Sequence, residues 1–325
     1  MRHGCLVVAL GSPQEPTPAA IRRFLKPFLS DQRVVDFHPA AWLPILHGMV
    51  LPARPGKIRE QYEAVWTDSG SPLTVHTLAQ RDHLQDALPD VDVRYAMTYT
   101  APSIETALTD WDVDAVTVIP LFPQYAPSTV AAVMDQVTAF YRASAWMPHL
   151  HLVQSWPDTP RYVNWHARQL ARTLTAQEQS DQGADKVVFS YHGVPERAVH
   201  APGPYRAQCE TTTAAIVSAT QELVGHEIAH ESTFQSKFGP GAWLAPATID
   251  RMGQLPAEGV HNVVMLTPGF VADCIETSYE LDVLNRDEFL AAGGSSFTRV
   301  APPNSDPEVG LMLAEVFHRA HRLGE

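Results

Sequence analysis

The chain is poor in the features that mark several large protein classes. It has three cysteines, Cys5, Cys209 and Cys274, widely separated and without a C-x-x-C pair. That pattern excludes a disulfide framework and predicts reduced thiols, with no Cys-ligated iron–sulfur cluster. Positive charge is scarce: 23 Lys and Arg face 36 Asp and Glu, a formal net charge of −13. A nucleic-acid surface needs a basic stripe, so nucleic acid is not an expected partner. No apolar run reaches the ~18 residues of a membrane span, and "MRHGCLVVALGSP" lacks the apolar core and cleavage site of a signal peptide. The expectation is a cytoplasmic protein.

Nucleotide signatures are also missing. "ALGSP" is not G-x-G-x-x-G, no Walker G-x-x-x-x-G-K-[ST] occurs, and neither G-x-S-x-G nor H-E-x-x-H is found. These absences disfavour dinucleotide enzymes, P-loop NTPases, α/β-hydrolases and zinc peptidases of the usual types.

What is present is a regular alternation of apolar runs and amphipathic segments. Strands are predicted at 5–11, 93–99, 115–122 and 150–156, then at 186–193, 226–233, 262–270 and 296–302. Helices are predicted around 17–29, 57–67, 128–142, 159–175, 205–223 and 306–322. Strand–helix alternation is the pattern of a parallel α/β sheet. The two sets of four strands look alike. The chain therefore reads as α/β with two Rossmann-like, doubly wound parallel-sheet domains, 1–160 and 161–325. Their connection lies near 157–183. At 325 residues, two cores are the natural expectation.

In such sheets ligands bind beyond the carboxyl ends of the strands. The segments to inspect are 11–13, 99–102, 123–129, 191–195, 234–240 and 268–276. "SYHGVP" places His192 at a strand end. "PGFVADCIETSYELD" places Asp273, Glu276 and Glu280 at spacing i, i+3, i+7, one face of a helix, with Val271, Ile275 and Leu281 in the same turns. An imidazole opposite carboxylates is a mixed N/O set suited to iron or zinc. Each residue also has a plainer reading. His192 as readily caps a strand, Asp273 and Glu276 suit a helix N-terminus, and Glu280 and Asp282 suit a solvated face. Spacing alone leaves a metal or acid–base site and a structural role both open.

Eight blocks in order narrow the choice. "GSPQEPTPAAIRRFLKPFLSD", "GKIREQYEAVWTDSGSPL", "YAMTYTAPSIETAL" and "PLFPQYAPSTVAAV" stand in the first half. "FSYHGVPER", "PYRAQCETTTAAI", "TFQSKFGPGAWLAPATID" and "PGFVADCIETSYELD" stand in the second. On these blocks, nearly the whole chain resembles the ferrochelatase family, which inserts ferrous iron into a porphyrin in haem synthesis. The resemblance implies a chelatase-like fold with an interdomain porphyrin cleft, and a porphyrin (protoporphyrin IX or coproporphyrin III) and Fe2+ as substrates. It implies no prosthetic group. By motif position His192 matches the family's catalytic histidine and Glu276 its partner glutamate. Metal handling then falls to His192, Glu276, Asp273 and Glu280, the acids reading as a relay for metal or protons. Tyr125 matches a pocket residue, and the hydroxyls of Ser128 and Thr129 suit propionates.

The segment 37–57, "FHPAAWLPILHGMVLPARPGK", is unusually apolar for a Pro-rich connection. Trp42, Leu43, Ile45, Leu46, Met49 and Leu51 are expected to form a porphyrin lip, with Leu46 and Met49 as contacts and Arg54 and Lys57 near propionates. The same lip would suit peripheral contact with a membrane surface. Trp243 reads as structural, in a rigid corner with Gly239, Pro240 and Pro246. Two departures from the family stand out: Thr98 occupies a place where Arg is usual, and Gly203-Pro204-Tyr205 lacks the usual Asp. The alternatives are a cobalt or nickel chelatase of another tetrapyrrole pathway, and a non-enzymatic haem or metal carrier. Nothing in the chain sets an oligomeric state.

Overall fold

The computed structural model describes residues 2–180, 183–196, 204–237 and 241–322. The chain divides into two compact units, 157–303 and the remainder. The first holds strands β1 (His3–Ala9), β2 (Val91–Met97), β3 (Ala115–Pro120) and β4 (His149–Leu152). All are parallel, in the order β2-β1-β3-β4. Both faces are covered by helices, so the strands read as apolar runs rather than alternating ones. Every residue of β3 is buried. Leu6, Val8, Ala96, Val116 and Val118 meet Val133 and Val137 in one core cluster.

The helices of this unit are α1 (Pro18–Ser30), α2 (Pro39–Ile45), α3 (Leu51–Val65), α4 (Pro72–Ala87), α5 (Ile104–Leu108) and α6 (Ala132–Ala143). In α1, Pro18 opens the helix and the Thr17 hydroxyl accepts the Ala20 N–H, a usual N-terminal cap. Its apolar positions Ile21, Phe24, Leu25 and Leu29 are buried at helical spacing. Helices α2 and α4 lie outside the helical ranges named from the sequence pattern.

The second unit repeats the plan. Strands β5 (Lys186–His192), β6 (His230–Gln235), β7 (Asn262–Leu266) and β8 (Ser296–Arg299) are parallel in the order β6-β5-β7-β8. Its helices are α7 (Pro160–Gln179), α8 (Tyr205–Val224), α9 (Thr248–Gln254), α10 (Ile275–Ser278) and α11 (Arg286–Ala291). Strand β6 starts four residues later than the apolar pattern suggested. The fold is α/β with two four-stranded parallel sheets. In each, the chain winds outward to one side of the first strand and then crosses to the other. The switch points lie between β1 and β3 and between β5 and β7.

The last helix, α12 (Glu308–Arg322), belongs to the first unit and not to a domain running 161–325. Its apolar face, Val309, Met312, Leu313, Val316 and Phe317, is buried. Gly310 lets it approach α4 closely: a Cβ there would lie 2.2 Å from the His83 carbonyl oxygen. The connection ahead of it is tied to α4 by Gln80 Nε2, which donates to the Asn304 carbonyl at 2.9 Å, and by a 2.7 Å bond between His76 Nδ1 and Ser305 Oγ. An apolar stripe does not name its partner, so this return could not be read from the pattern.

Candidate functional site

The second unit gathers its ionisable groups at the switch point between β5 and β7. His192 ends β5, with its side chain exposed. Its Nδ1 lies 2.7 Å from the Gly193 carbonyl oxygen. In the neutral ring that contact holds the proton on Nδ1 and leaves the Nε2 lone pair free to accept one. The backbone is pinned from below: the buried Tyr205 hydroxyl donates to the His192 carbonyl at 2.8 Å. Gly193 N–H donates to the Gln235 carbonyl at 2.7 Å, and a Cβ at residue 193 would lie 2.7 Å from that same oxygen. Only glycine fits this approach of β5 to β6. Beyond it, Glu196 N–H reaches the Ala242 carbonyl and Leu244 N–H the Val194 carbonyl. The loops after β5 and β6 are thereby zipped together, with Trp243 in the pairing. Gly203, Gly239 and Pro240 lie outside the described residues.

The carboxylates do not form the single helical ladder that spacing predicted. Helix α10 is one turn, Ile275–Ser278, and a π-helical segment Glu280–Asn285 follows it. Asp273 precedes the helix. Its Oδ1 accepts from the Thr277 hydroxyl at 2.7 Å and from Arg299 Nη1 at 3.0 Å. Asp282 is held by the same guanidinium through two 2.7 Å bonds. The acids therefore divide: Asp273 and Asp282 close on Arg299, while Glu280 lies in the field of both His192 and Glu276. The ladder fails because Asp273 lies ahead of a helix only one turn long, and the wider π-turn then changes the register from Glu280 onward.

Glu280 is not on a solvated face. Its carboxylate accepts from the Ser236 N–H at 2.7 Å and from the Ser236 hydroxyl at 2.5 Å. Burial holds its pKa above the ordinary glutamate range, and the neighbouring Glu276 charge pushes the same way. The Ser236 hydrogen bonds and His192 oppose that rise without cancelling it. Ser236 has a φ of +63°, a left-handed conformation costing a side-chain residue about 1–2 kcal/mol. Here the two bonds to Glu280 offset that cost. Glu276 is placed through its backbone: the buried Gln235 Nε2 donates to the Glu276 carbonyl at 2.7 Å, and Gln235 Oε1 accepts from Ser190 Oγ at 2.8 Å. The Glu276 charge and burial together push the adjacent Cys274 thiol well above its usual range, burial being the larger cause. Cys274 is thus a thiol and not a thiolate nucleophile.

Ser236, Gln235 and Arg299 had not been singled out from the sequence. The segment 234–240 was marked as a strand end, which pointed to Gln235 and Ser236 without naming a role. Nothing marked Arg299, an arginine in a short strand.

In the first unit, Tyr125, Ser128 and Thr129 follow β3, at that sheet's own switch point. All three are half-buried. Thr129 Oγ1 donates to the Ala126 carbonyl at 3.3 Å, inside its own turn. Tyr125 lies in the field of the Arg33 guanidinium, which pairs with Asp135. Thr98, standing where an arginine was expected, is buried and donates to the Ala9 carbonyl at 3.1 Å. Arg54 is half-buried on α3.

The apolar segment 37–57 is not uniform. Leu46 is fully buried and belongs to the core, as does Leu51. Trp42 is anchored, its indole N–H donating to the Leu29 carbonyl at 2.6 Å. The exposed apolar surface is instead Phe37, Leu43, Ile45 and Met49, the last 69% exposed, and α2 has no buried residue at all. The π-helical turn Leu46–Val50 turns Leu46 inward and Met49 outward. Among the described residues no helix is long and apolar enough to cross a membrane. Among them also, no three His, Cys, Asp or Glu side chains converge as a closed metal-binding group.

Comparison with known proteins adds a family. The family model described as Ferrochelatase matches residues 2–321. A coproporphyrin III ferrochelatase of Lactococcus lactis subsp. lactis is 40% identical over 319 residues, covering 97% of each chain. One of Enterococcus faecalis is 37% identical over 318 residues, 97% of this chain and 98% of its own. A ferrochelatase of Sodalis glossinidius is 38% identical over 308 residues, 94% of this chain and 90% of its own. Among solved structures, a multi-domain protein of Deinococcus radiodurans, described as structurally similar to chelatases, matches with a TM-score of 0.54 at 10% identity. That match spans 97% of this chain and 54% of the other, and bears on fold alone.

Proposed function

This chain belongs to the ferrochelatase family, and we propose that it carries out iron insertion at His192, Glu276 and Glu280. The enzyme is a metal chelatase, a lyase of haem synthesis that inserts Fe2+ into a porphyrin. The observation that supports the site assignment is the Glu280 carboxylate, clamped by Ser236 at this strand end and in the field of both His192 and Glu276. Coproporphyrin III and protoporphyrin IX are the two candidate porphyrins; relatives named coproporphyrin III ferrochelatase and relatives named only ferrochelatase match at similar identity.

Insertion of a divalent ion releases two pyrrole protons and strips water from the ion. His192 Nε2, with its lone pair free, accepts a pyrrole proton. Glu276 and Glu280 receive the desolvating ion, carboxylate oxygen being a donor that ferrous iron accepts. Glu280, whose pKa burial holds above the ordinary glutamate range, is assigned to carry protons away. Asp273 is left out of the metal set, because Arg299 and Thr277 both bond its Oδ1 and tie it to the Arg299 clamp.

Porphyrin binding needs apolar surface for the ring and polar groups for its propionates. We assign the former to Leu43, Ile45 and Met49 and the latter to Tyr125, Ser128, Thr129 and Arg54. A cytoplasmic location with peripheral contact to a membrane through Phe37, Leu43, Ile45 and Met49 fits this exposed surface. Paired polar substitutions, Leu43→Gln with Met49→Gln, are expected to raise the apparent porphyrin KM several-fold and leave the metal KM and thermal stability near wild type. By contrast, Leu46→Ala is expected to destabilise by about 2–5 kcal/mol, as for other buried leucines, with KM unchanged in the folded fraction. Thermal melts and steady-state kinetics separate the two.

The test of the function is direct. Purified protein is mixed anaerobically with coproporphyrin III or protoporphyrin IX and ferrous iron, and the porphyrin absorbance bands are followed. Many turnovers per protein with one porphyrin are expected. Stoichiometric binding without turnover would instead make the chain a carrier.

A further inference from the structure

We infer that Arg299 is a positioning residue for metal insertion: its guanidinium, clamped between Asp273 and Asp282, fixes both ends of the segment that carries Glu276 and Glu280. The inference rests on the site assignment above.

Arg299 is the last residue of β8, and its side chain is only 9% exposed. Nε and Nη2 donate to the two oxygens of Asp282, each at 2.7 Å, a bidentate pair. Nη1 donates to Asp273 Oδ1 at 3.0 Å. That oxygen also accepts the Thr277 hydroxyl at 2.7 Å, and Thr277 Oγ1 in turn accepts the Cys274 N–H at 3.0 Å. One planar cation thereby closes the loop 273–282 at both ends. A fork-to-carboxylate pair sets orientation as well as distance, which a point charge does not.

The segment between the anchors needs such support. Helix α10 gives way to the π-segment Glu280–Asn285, a backbone form that rarely extends beyond a turn without help from its surroundings. Other ties act in the middle: Gln235 on the Glu276 carbonyl, Ser236 on the Glu280 carboxylate, and Asn285 Nδ2, which donates to the Glu280 carbonyl at 2.8 Å. Arg299 spans the two ends. All of its hydrogen bonds described here go to Asp273 and Asp282, and none to Glu276 or Glu280. It acts through backbone placement, not by offering charge to the reacting atoms.

The test uses the full chain and three variants: Arg299→Lys, Arg299→Gln, and the neutral triple Arg299→Met with Asp273→Asn and Asp282→Asn. Two readouts are taken, iron insertion kinetics and hydrogen exchange of 275–285. Arg299→Lys keeps the charge and loses the fork. It is expected to melt near wild type, to lower kcat by about tenfold or more, and to leave the porphyrin KM within about twofold of wild type. Exchange should quicken in 275–285 and not elsewhere. The triple variant removes the buried charges together. It should recover the thermal stability lost in Arg299→Gln without recovering kcat. Wild-type kcat in either Arg299→Lys or the triple variant, or unchanged exchange across 275–285, overturns the inference. If Arg299→Gln does not fold, the other two variants decide. Failure of the wild-type protein to metallate any porphyrin would refute the site assignment separately, while the exchange measurement still judges the clamp.

Discussion

His192→Ala is expected to lower the rate of iron insertion by about two to four orders of magnitude, the range for losing an acid–base group, while the protein folds and binds porphyrin as before. The structure separates the two effects. The imidazole is exposed at the end of β5, so its removal opens no cavity. The contacts that shape the strand end are made by backbone: Tyr205 to the His192 carbonyl and Gly193 to Gln235. Neither needs the ring. Stopped-flow metallation with thermal melts and porphyrin titration checks the expectation. A folded variant turning over within a few-fold of wild type would take His192 out of the chemistry.

The second large effect distinguishes the two glutamates. Glu276→Gln is expected to slow the chemical step by about two to four orders, because it removes a charge and a base at the proposed site and keeps the shape. Spacing alone placed Glu280 further out, where water could replace it. In the fold it is desolvated, clamped by Ser236 and in the field of His192 and Glu276. Glu280→Gln should therefore also lower turnover substantially, and raise the apparent metal KM. It should also stabilise the protein, with a definite pH dependence.

The folded pKa of Glu280 lies above its unfolded value, chiefly through burial. Its contribution to stability is fully present below the unfolded pKa and is lost as pH rises through the folded pKa. Glutamine does not titrate, so the Tm advantage of Glu280→Gln should be near zero below the ordinary glutamate pKa. It should grow above that value and level off beyond the folded pKa. Melts of both proteins from pH 4 to pH 8 test this. A constant Tm difference across the range would mean that the Glu280 carboxylate is not desolvated. A gain in stability with a loss of activity is the signature of a group held against its own preference for function.

Much of this was legible in the chain. Apolar runs buried on both faces must be β-branched and continuous, so "CLVVALG" and "KVVFSYHG" announce central parallel strands. Strand ends in such sheets are where ligands go, which singled out His192 and the segment 268–276 before any coordinates. The motif order then named the ferrochelatase family, and the family model and curated relatives agree. Helix α4 was less legible: its apolar positions are interrupted by Thr77 and Gln80, both buried through hydrogen bonds that a hydropathy pattern does not see.

What the sequence by itself determined was the set of local choices: which segments are strands, where glycine must stand, and which residue types lie at the strand ends. These follow from short-range sterics and from the period of hydrophobicity. What the tertiary structure decided was how charges are shared. Asp273, Glu276, Glu280 and Asp282 are equivalent acids on a spacing diagram. The one-turn helix that starts after Asp273, the π-turn behind it and an arginine from a strand 26 residues after Asp273 divide them into a clamp and a reactive pair. The same holds for Leu46 and Met49, neighbours in an apolar run, one in the core and one 69% exposed. And α12 returns to the first unit because burial of its apolar face is non-directional. The hydrophobic effect drives a stripe out of water without specifying the surface that covers it.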